Sequence, residues 1–132
     1  MSQTEQHPLF PSGDWTGFYT YASGPTAVKH PMDCRLQFID GRVSGEGVDD
    51  VAAFQWTGTY DTTLLTCKLV KQYVGRHAVS YDGQVDENGI WGNWHLETFT
   101  GGFHIKPRDP GAEESEIAAA KEVKKKVGAA GA

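Results

Sequence analysis

The sequence predicts an all-β fold, namely an antiparallel, up-and-down barrel of eight short strands followed by a C-terminal helical or disordered tail. The chain of 132 residues contains 16 glycines, and most of them lie between short runs of aromatic and β-branched residues. The links between these runs are short, so consecutive strands must pair antiparallel. A flat sheet of eight strands would leave two unpaired edges, whereas a closed barrel leaves none.

Eight segments have the composition or the alternation of strands. The segment 32–39 is the clearest, because Met32, Cys34, Leu36 and Phe38 alternate with other residues as in a strand with one buried face. Asp40-Gly41 follows it as a strong hairpin signal. The predicted strands cover residues 15–21, 32–39, 42–48, 54–60, 64–73, 76–85, 90–99 and 103–106, with the last turn at Gly101-Gly102.

Composition divides the chain into three parts. Residues 1–12 are a polar N-terminal lead-in, residues 13–108 the barrel domain, and residues 109–132 a charged tail rich in Ala, Glu and Lys. The tail has acidic residues first and lysines last, which suits a helix dipole. Its apolar stripe is narrow, however, so we favour a disordered tail over a docked helix.

Charge and cysteine usage exclude several classes of protein. A net charge of −5 lacks the basic footprint of nucleic-acid binding and gives no attraction to anionic membranes. The sequence contains neither a membrane-spanning apolar stretch nor the pattern of a secretory signal, so we expect a cytoplasmic protein. Cys34 and Cys67 are then expected to be buried thiols, and no spacing of Cys or His indicates a metal site or a cofactor.

Several short motifs occur in a recognisable order. Gly13-Asp14-Trp15 comes first, then Thr57-Gly58-Thr59-Tyr60-Asp61, then Lys71, Tyr73 and His77, then Tyr81-Asp82-Gly83-Gln84, and last Trp94 with Leu96. In this order they resemble the motifs of the avidin/streptavidin family, a calycin-type group of eight-stranded barrels. The Gly-x-Trp opening is also similar to that of lipocalins. The resemblance implies an up-and-down barrel over most of residues 13–106.

The resemblance does not extend to the biotin site. Polar and aromatic groups that hold biotin in that family correspond here to Gly17, Gly47, Asp49, Val70 and Gly101. Pocket-type aromatic residues remain only at Trp94 and Tyr81. Binding a urea requires several convergent donors and acceptors beside an apolar wall, so we expect no tight biotin binding.

The candidate ligand-binding residues are Lys71, Arg76, His77, Tyr81 and Trp94. The turn after strand five would bring Lys71, Arg76 and His77 to one barrel mouth, where they could hold a carboxylate or phosphate. They could equally be the solvated side chains of a hairpin. His77, Tyr81 and Trp94 would line the lumen if their strand faces point inward. A barrel of eight strands either fills with side chains or holds one small ligand, and both alternatives stay open.

We therefore expect a non-enzymatic barrel that binds a small, partly apolar ligand at one mouth. Tyr81 and Trp94 would supply apolar contact, and His77 and Arg76 would orient the ligand. The alternative is a structural or protein-interaction module with a filled barrel. An isomerase or cyclase with His77 and Tyr81 as acid and base ranks third, because no carboxylate is clearly placed to tune the histidine.

Two further interpretations concern the surface. Glu46, Asp49 and Asp50 are interpreted as a polar hairpin end, since they lack the spacing of a calcium loop. Four tryptophans in a small barrel suggest that some rings cover a subunit interface, as in a homodimer.

Overall fold

The computed structural model describes residues 4–108, which form the predicted eight-stranded antiparallel barrel. The predicted tail over 109–132 lies outside the described residues. The strands are β1 (Gly13–Thr20), β2 (His30–Ile39), β3 (Arg42–Asp49), β4 (Ala53–Asp61), β5 (Thr66–Tyr73), β6 (Ala78–Asp86), β7 (Gly89–Leu96) and β8 (Phe99–Pro107). Each strand pairs with its neighbour in the chain, and β8 pairs with β1 to close the barrel. None of these residues forms a helix long and apolar enough to cross a membrane.

The alternation of β2 appears in the structure as predicted. Met32, Cys34, Leu36 and Phe38 are buried on its inward face, while the residues that alternate with them over 33–37 are exposed. The hairpin that follows has positive φ angles at both Asp40 (50°) and Gly41 (80°), as a two-residue type I′ turn requires.

The last hairpin turn differs from the prediction. It lies at Glu97-Thr98, where Glu97 has a φ of 56°, and Gly101 and Gly102 both lie inside β8. A Cβ on Gly101 would lie 2.4 Å from Trp94 Nε1 and 2.0 Å from the Thr20 carbonyl oxygen. The turn prediction was wrong because close packing of the strand against Trp94, not chain reversal, requires this glycine.

The N-terminal lead-in closes one end of the barrel, here called the plugged end. Phe10 is completely buried there, with its ring centre 5.6 Å from that of Phe38 and 4.9 Å from that of Tyr60. Glu5 accepts a hydrogen bond of 2.8 Å from the Tyr60 hydroxyl, and Thr4 forms a β-bridge with Ile39. The opposite end, here called the loop end, carries the loops 21–29, 50–52, 74–77 and 97–98.

The core of the protein is the barrel interior. Of the four tryptophans, three are at most 5% exposed and point inward, namely Trp15, Trp56 and Trp94. Most of the aromatic surplus in the sequence therefore fills the lumen. Cys34 and Cys67 are buried free thiols as predicted, and burial raises their pKa values to about 11 and about 12.

Candidate functional site

Lys71 is completely buried inside the barrel. The alternation of β5 places it on the inward face, two residues from Leu69 and from Tyr73. Its Nζ lies 4.6–5.5 Å from the centres of five aromatic rings. At such distances an ammonium group is attracted to the ring faces. The five rings form an aromatic cage around it and belong to Tyr19, Phe54, Trp56, Tyr73 and Tyr81.

Asp49, the last residue of β3, supplies the opposite charge. Its Oδ2 lies 2.6 Å from Lys71 Nζ and accepts a hydrogen bond of 2.5 Å from the Tyr73 hydroxyl. Its Oδ1 accepts hydrogen bonds from the backbone N–H groups of Val51 (2.8 Å) and Ala52 (3.2 Å). Both side chains of the ion pair are 0% exposed. Asp49 does lie at a hairpin end, as interpreted from the sequence, but its carboxylate also points into the cage, which the sequence did not predict.

Burial and pairing shift the pKa values of these groups. Burial lowers the pKa of Lys71, although the hydrogen bond to Asp49 opposes this shift. Burial alone would raise the pKa of Asp49, but hydrogen bonds from Lys71 and Tyr73 outweigh it and hold this pKa below its usual value. The geometry is that of an ammonium–carboxylate pair whose nitrogen is enclosed, so Lys71 is not placed to act as an accessible nucleophile.

A second polar layer lies on the loop-end side of the cage. Asp50 accepts a hydrogen bond from the Tyr19 hydroxyl, and its Oδ2 lies 2.6 Å from His30 Nδ1. The His30 ring stacks on Tyr19 with ring centres 5.0 Å apart. Tyr21 packs edge-on against His30 and against Trp94. This layer joins the start of β2 to the end of β1 and to the loop after β3.

The structure separates the five predicted site residues. Tyr81 and Trp94 point into the lumen as predicted and are 2% and 5% exposed, and Lys71 is buried beside them rather than at a mouth. Arg76 and His77 are exposed on the β5–β6 turn. His77 does not share the inward face with Tyr81, because β6 begins only at Ala78.

A groove of about 1170 Å³ lies outside the barrel, over the outer faces of β7, β8 and β1. The strand register places three rings side by side in one row, namely Trp91, His104 and Phe18. The next outward row holds Asn93, Gly102 and Thr20. Loop 21–29 lines the groove as well.

Gly102 leaves the middle of this groove without a side chain. Its φ lies outside the left-handed range, and an added Cβ would have only Thr20 Oγ1 (3.3 Å) and the Gly92 carbonyl oxygen (3.8 Å) within 4 Å. Gly101 beside it is required by packing, whereas Gly102 is required neither by its backbone conformation nor by a backbone clash. The Thr20 side chain would have to shift by a few tenths of an ångström to admit a Cβ at Gly102, but no backbone atom lies closer than 3.8 Å. The gap at Gly102 is part of the groove lining.

Sequence reasoning missed Asp49, Asp50 and the groove. A signal for the groove was present, because the alternation of β7 that turns Trp94 inward turns Trp91 and Asn93 outward. Within residues 4–108, no group of three His, Cys, Asp or Glu side chains is arranged to hold a metal ion.

Comparison with protein-family models, with curated proteins and with solved structures finds no match for this chain. The structure confirms the barrel that the avidin-type resemblance implies. Membership of that family is not shown.

Proposed function

We propose that this protein is a non-enzymatic β-barrel that binds a small, partly apolar ligand, and that the ligand occupies the outer groove. The observation that carries the proposal is the gap at Gly102, where an added Cβ would meet no backbone atom closer than 3.8 Å. The volume of about 1170 Å³ is slightly above the range of small-molecule sites, about 300–1,000 Å³. Trp91 and Phe18 supply apolar contact, while Asn93 and His104 supply polar groups.

The barrel mouth predicted from the sequence supports a ligand less well. Tyr81 and Trp94 are packed inside the lumen, so a ligand at the mouth would contact them only if the layer of Asp50 and His30 moved. Acid–base catalysis by His77 and Tyr81 has little support for the same reason. His77 is exposed on a turn, whereas the Tyr81 hydroxyl lies inside the barrel, 3.9 Å from Met32 Sδ.

The test is a fragment-library titration of the ¹⁵N-labelled full chain followed by NMR. We expect chemical-shift changes at the Trp91 indole, Asn93 and Gly102. Gly102→Leu should abolish them by filling the groove, whereas the control Ser80→Leu, at an exposed position on β6, should keep them. Chemical-shift changes confined to Arg76 and His77 would indicate that the ligand binds at the barrel mouth. The absence of any chemical-shift change in the groove would refute the groove as the ligand-binding site.

A second candidate is a structural or protein-interaction module, including a homodimer. The packed lumen favours it, since Trp15, Trp56 and Lys71 are all at most 1% exposed. Phe99, which is 65% exposed, is then a natural contact residue. Sedimentation of the full chain would show a dimer that Phe99→Ser dissociates. A monomer whose groove binds ligands would favour the ligand-binding proposal.

A cytoplasmic location, without nucleic-acid or membrane partners, stays a prediction under both proposals.

A further inference from the structure

We propose that the ligand of the outer groove is a neutral oligosaccharide with a sugar ring stacked on Trp91. This inference rests on the proposed function and names the chemical class of its ligand. A pyranose ring combines an apolar face of C–H groups with a rim of hydroxyl groups. It therefore suits a surface that offers a flat aromatic ring beside uncharged hydrogen-bonding groups.

Two of the three rings of the groove, those of Trp91 and His104, are held by hydrogen bonds before any ligand binds. Trp91 is 41% exposed, and its Nε1 donates a hydrogen bond of 3.0 Å to Asp86 Oδ2. His104 Nε2 lies 2.6 Å from the Asn88 carbonyl oxygen, to which it donates. Side chains that are already ordered lose little conformational entropy on binding, so the groove is pre-organised.

The same hydrogen bonds leave acceptors for sugar hydroxyl groups. Asn93 donates its Nδ2 to the Gly101 carbonyl oxygen at 3.2 Å, which leaves its Oδ1 as an acceptor. The bond of His104 Nε2 to Asn88 leaves Nδ1 as an acceptor in the neutral ring. Thr20 Oγ1, beside the gap at Gly102, can donate as well as accept. These groups match the donors and acceptors on the rim of a sugar.

The charges of the groove favour a neutral ligand. Lys29 and Asp86 both line it and carry opposite charges. Lys29 Nζ lies 4.7 Å from the centre of the Phe18 ring. Asp86 accepts hydrogen bonds from the Trp91 indole and from the Asn88 backbone N–H. An anionic or a cationic ligand would each meet one like charge here and gain no excess of opposite charge.

The width of the groove fits more than one sugar ring. Trp91 on β7 and Phe18 on β1 are separated by β8, which places their strands about 9.6 Å apart at the usual strand spacing. One ring can stack on Trp91 while the next lies over His104 towards Phe18, beside the gap at Gly102 in the neighbouring row. The ligand we infer is thus a disaccharide or trisaccharide rather than a monosaccharide.

The experiment titrates the full chain with cellotriose, maltotriose, mannotriose and chitotriose. Binding is followed by the indole resonances, since NMR separates Trp91 from the three buried tryptophans. We expect one of these neutral sugars to bind with a Kd in the millimolar range, no higher than about 10 mM. Trp91→Ala and Gly102→Leu should weaken binding about tenfold or more, while Trp91→Phe should retain part of it.

Two matched controls and one competitor complete the design. Phe99→Ala removes an exposed ring outside the groove lining, and Ser80→Leu introduces a larger side chain on β6. Both variants should bind the sugar with a Kd within about twofold of that of the unmodified protein. Tighter binding of a trisaccharide uronate than of its neutral counterpart would overturn the neutral-ligand inference. If library fragments perturb Trp91 and Gly102 but none of the sugars does, the sugar inference fails while the proposed function stands. If neither perturbs them, both fail.

Discussion

Replacing Lys71 with alanine tests the aromatic cage directly, because it removes the ammonium group and three methylenes from the lumen. It also leaves the Asp49 carboxylate, whose side chain is 0% exposed, without its counter-ion. Breaking a buried ion pair by removing one partner costs about 3–5 kcal/mol, and the cavity adds a further cost. We expect a loss of at least about 4 kcal/mol, or about 16 °C in Tm at roughly 4 °C per kcal/mol.

The group removed by Lys71→Ala has the shape of n-propylammonium, which allows a chemical rescue. A ligand that binds only the folded variant stabilises it by about 2.7 kcal/mol at one hundred times its Kd. This corresponds to a recovery of roughly 10 °C. Propan-1-ol has the same shape without the charge, and it should recover far less because the attraction to five ring faces and to Asp49 is electrostatic.

Thermal unfolding followed by circular dichroism measures both effects, with Lys68→Ala as the control. Lys68 lies on the exposed face of β5, so its removal should change stability by less than about 0.5 kcal/mol and create no response to propylammonium. A second variant, Lys71→Met with Asp49→Asn, should be more stable than Lys71→Met alone, since it leaves no buried unpaired charge. A Lys71→Ala loss below about 1 kcal/mol, or equal rescue by the alcohol, would refute the cage.

Three further predictions concern titratable groups. The thiols of Cys34 and Cys67 should not react with Ellman's reagent at pH 8 until the protein unfolds, because burial raises their pKa values to about 11 and about 12; fast reaction of the native protein would contradict this. Stability should fall as the pH rises above about 10, since burial raises four tyrosine pKa values in the folded state only, those of Tyr19, Tyr60, Tyr73 and Tyr81. The hydrogen bond from Tyr60 lowers the pKa of Glu5, so Tyr60→Phe should raise that pKa in an NMR titration, and an unchanged value would exclude the bond.

The number of strands and most of the inward faces could be predicted from the sequence because both depend on local periodicity. The alternation over 32–39 fixes the buried face of β2, and Asp40-Gly41 fixes the register of its hairpin. The turn at Glu97 could not be predicted, since a non-glycine residue at positive φ carries no strong sequence signal. Gly101 allows close packing against Trp94, and Gly102 lines the groove. From the sequence alone, neither role can be distinguished from that of a turn glycine.

The ion pair of the lumen was beyond prediction for a different reason. Lys71 follows Cys67 and Leu69 at inward positions of β5. A lysine in such an alternating strand is normally expected at the end of the strand, with its ammonium group in solvent. Its partner Asp49 lies 22 residues away along the chain and two strands back in the sequence of the barrel. The two charges meet at 2.6 Å because β3 and β5 pair with opposite edges of β4 and both side chains point into the barrel.

The buried pair and the outer groove are connected through the loop end. Lys71 forms a hydrogen bond with Asp49. The neighbouring residue, Asp50, forms hydrogen bonds with Tyr19 and His30, which lie at the two ends of loop 21–29. That loop forms one wall of the groove, so Asp50 anchors the wall from inside. Asp50→Ala should therefore leave the cage folded while amide hydrogen exchange within 22–28 accelerates and groove ligands bind more weakly. Unchanged exchange there would mean that the loop is held by its own contacts, and the groove would then be independent of the lumen.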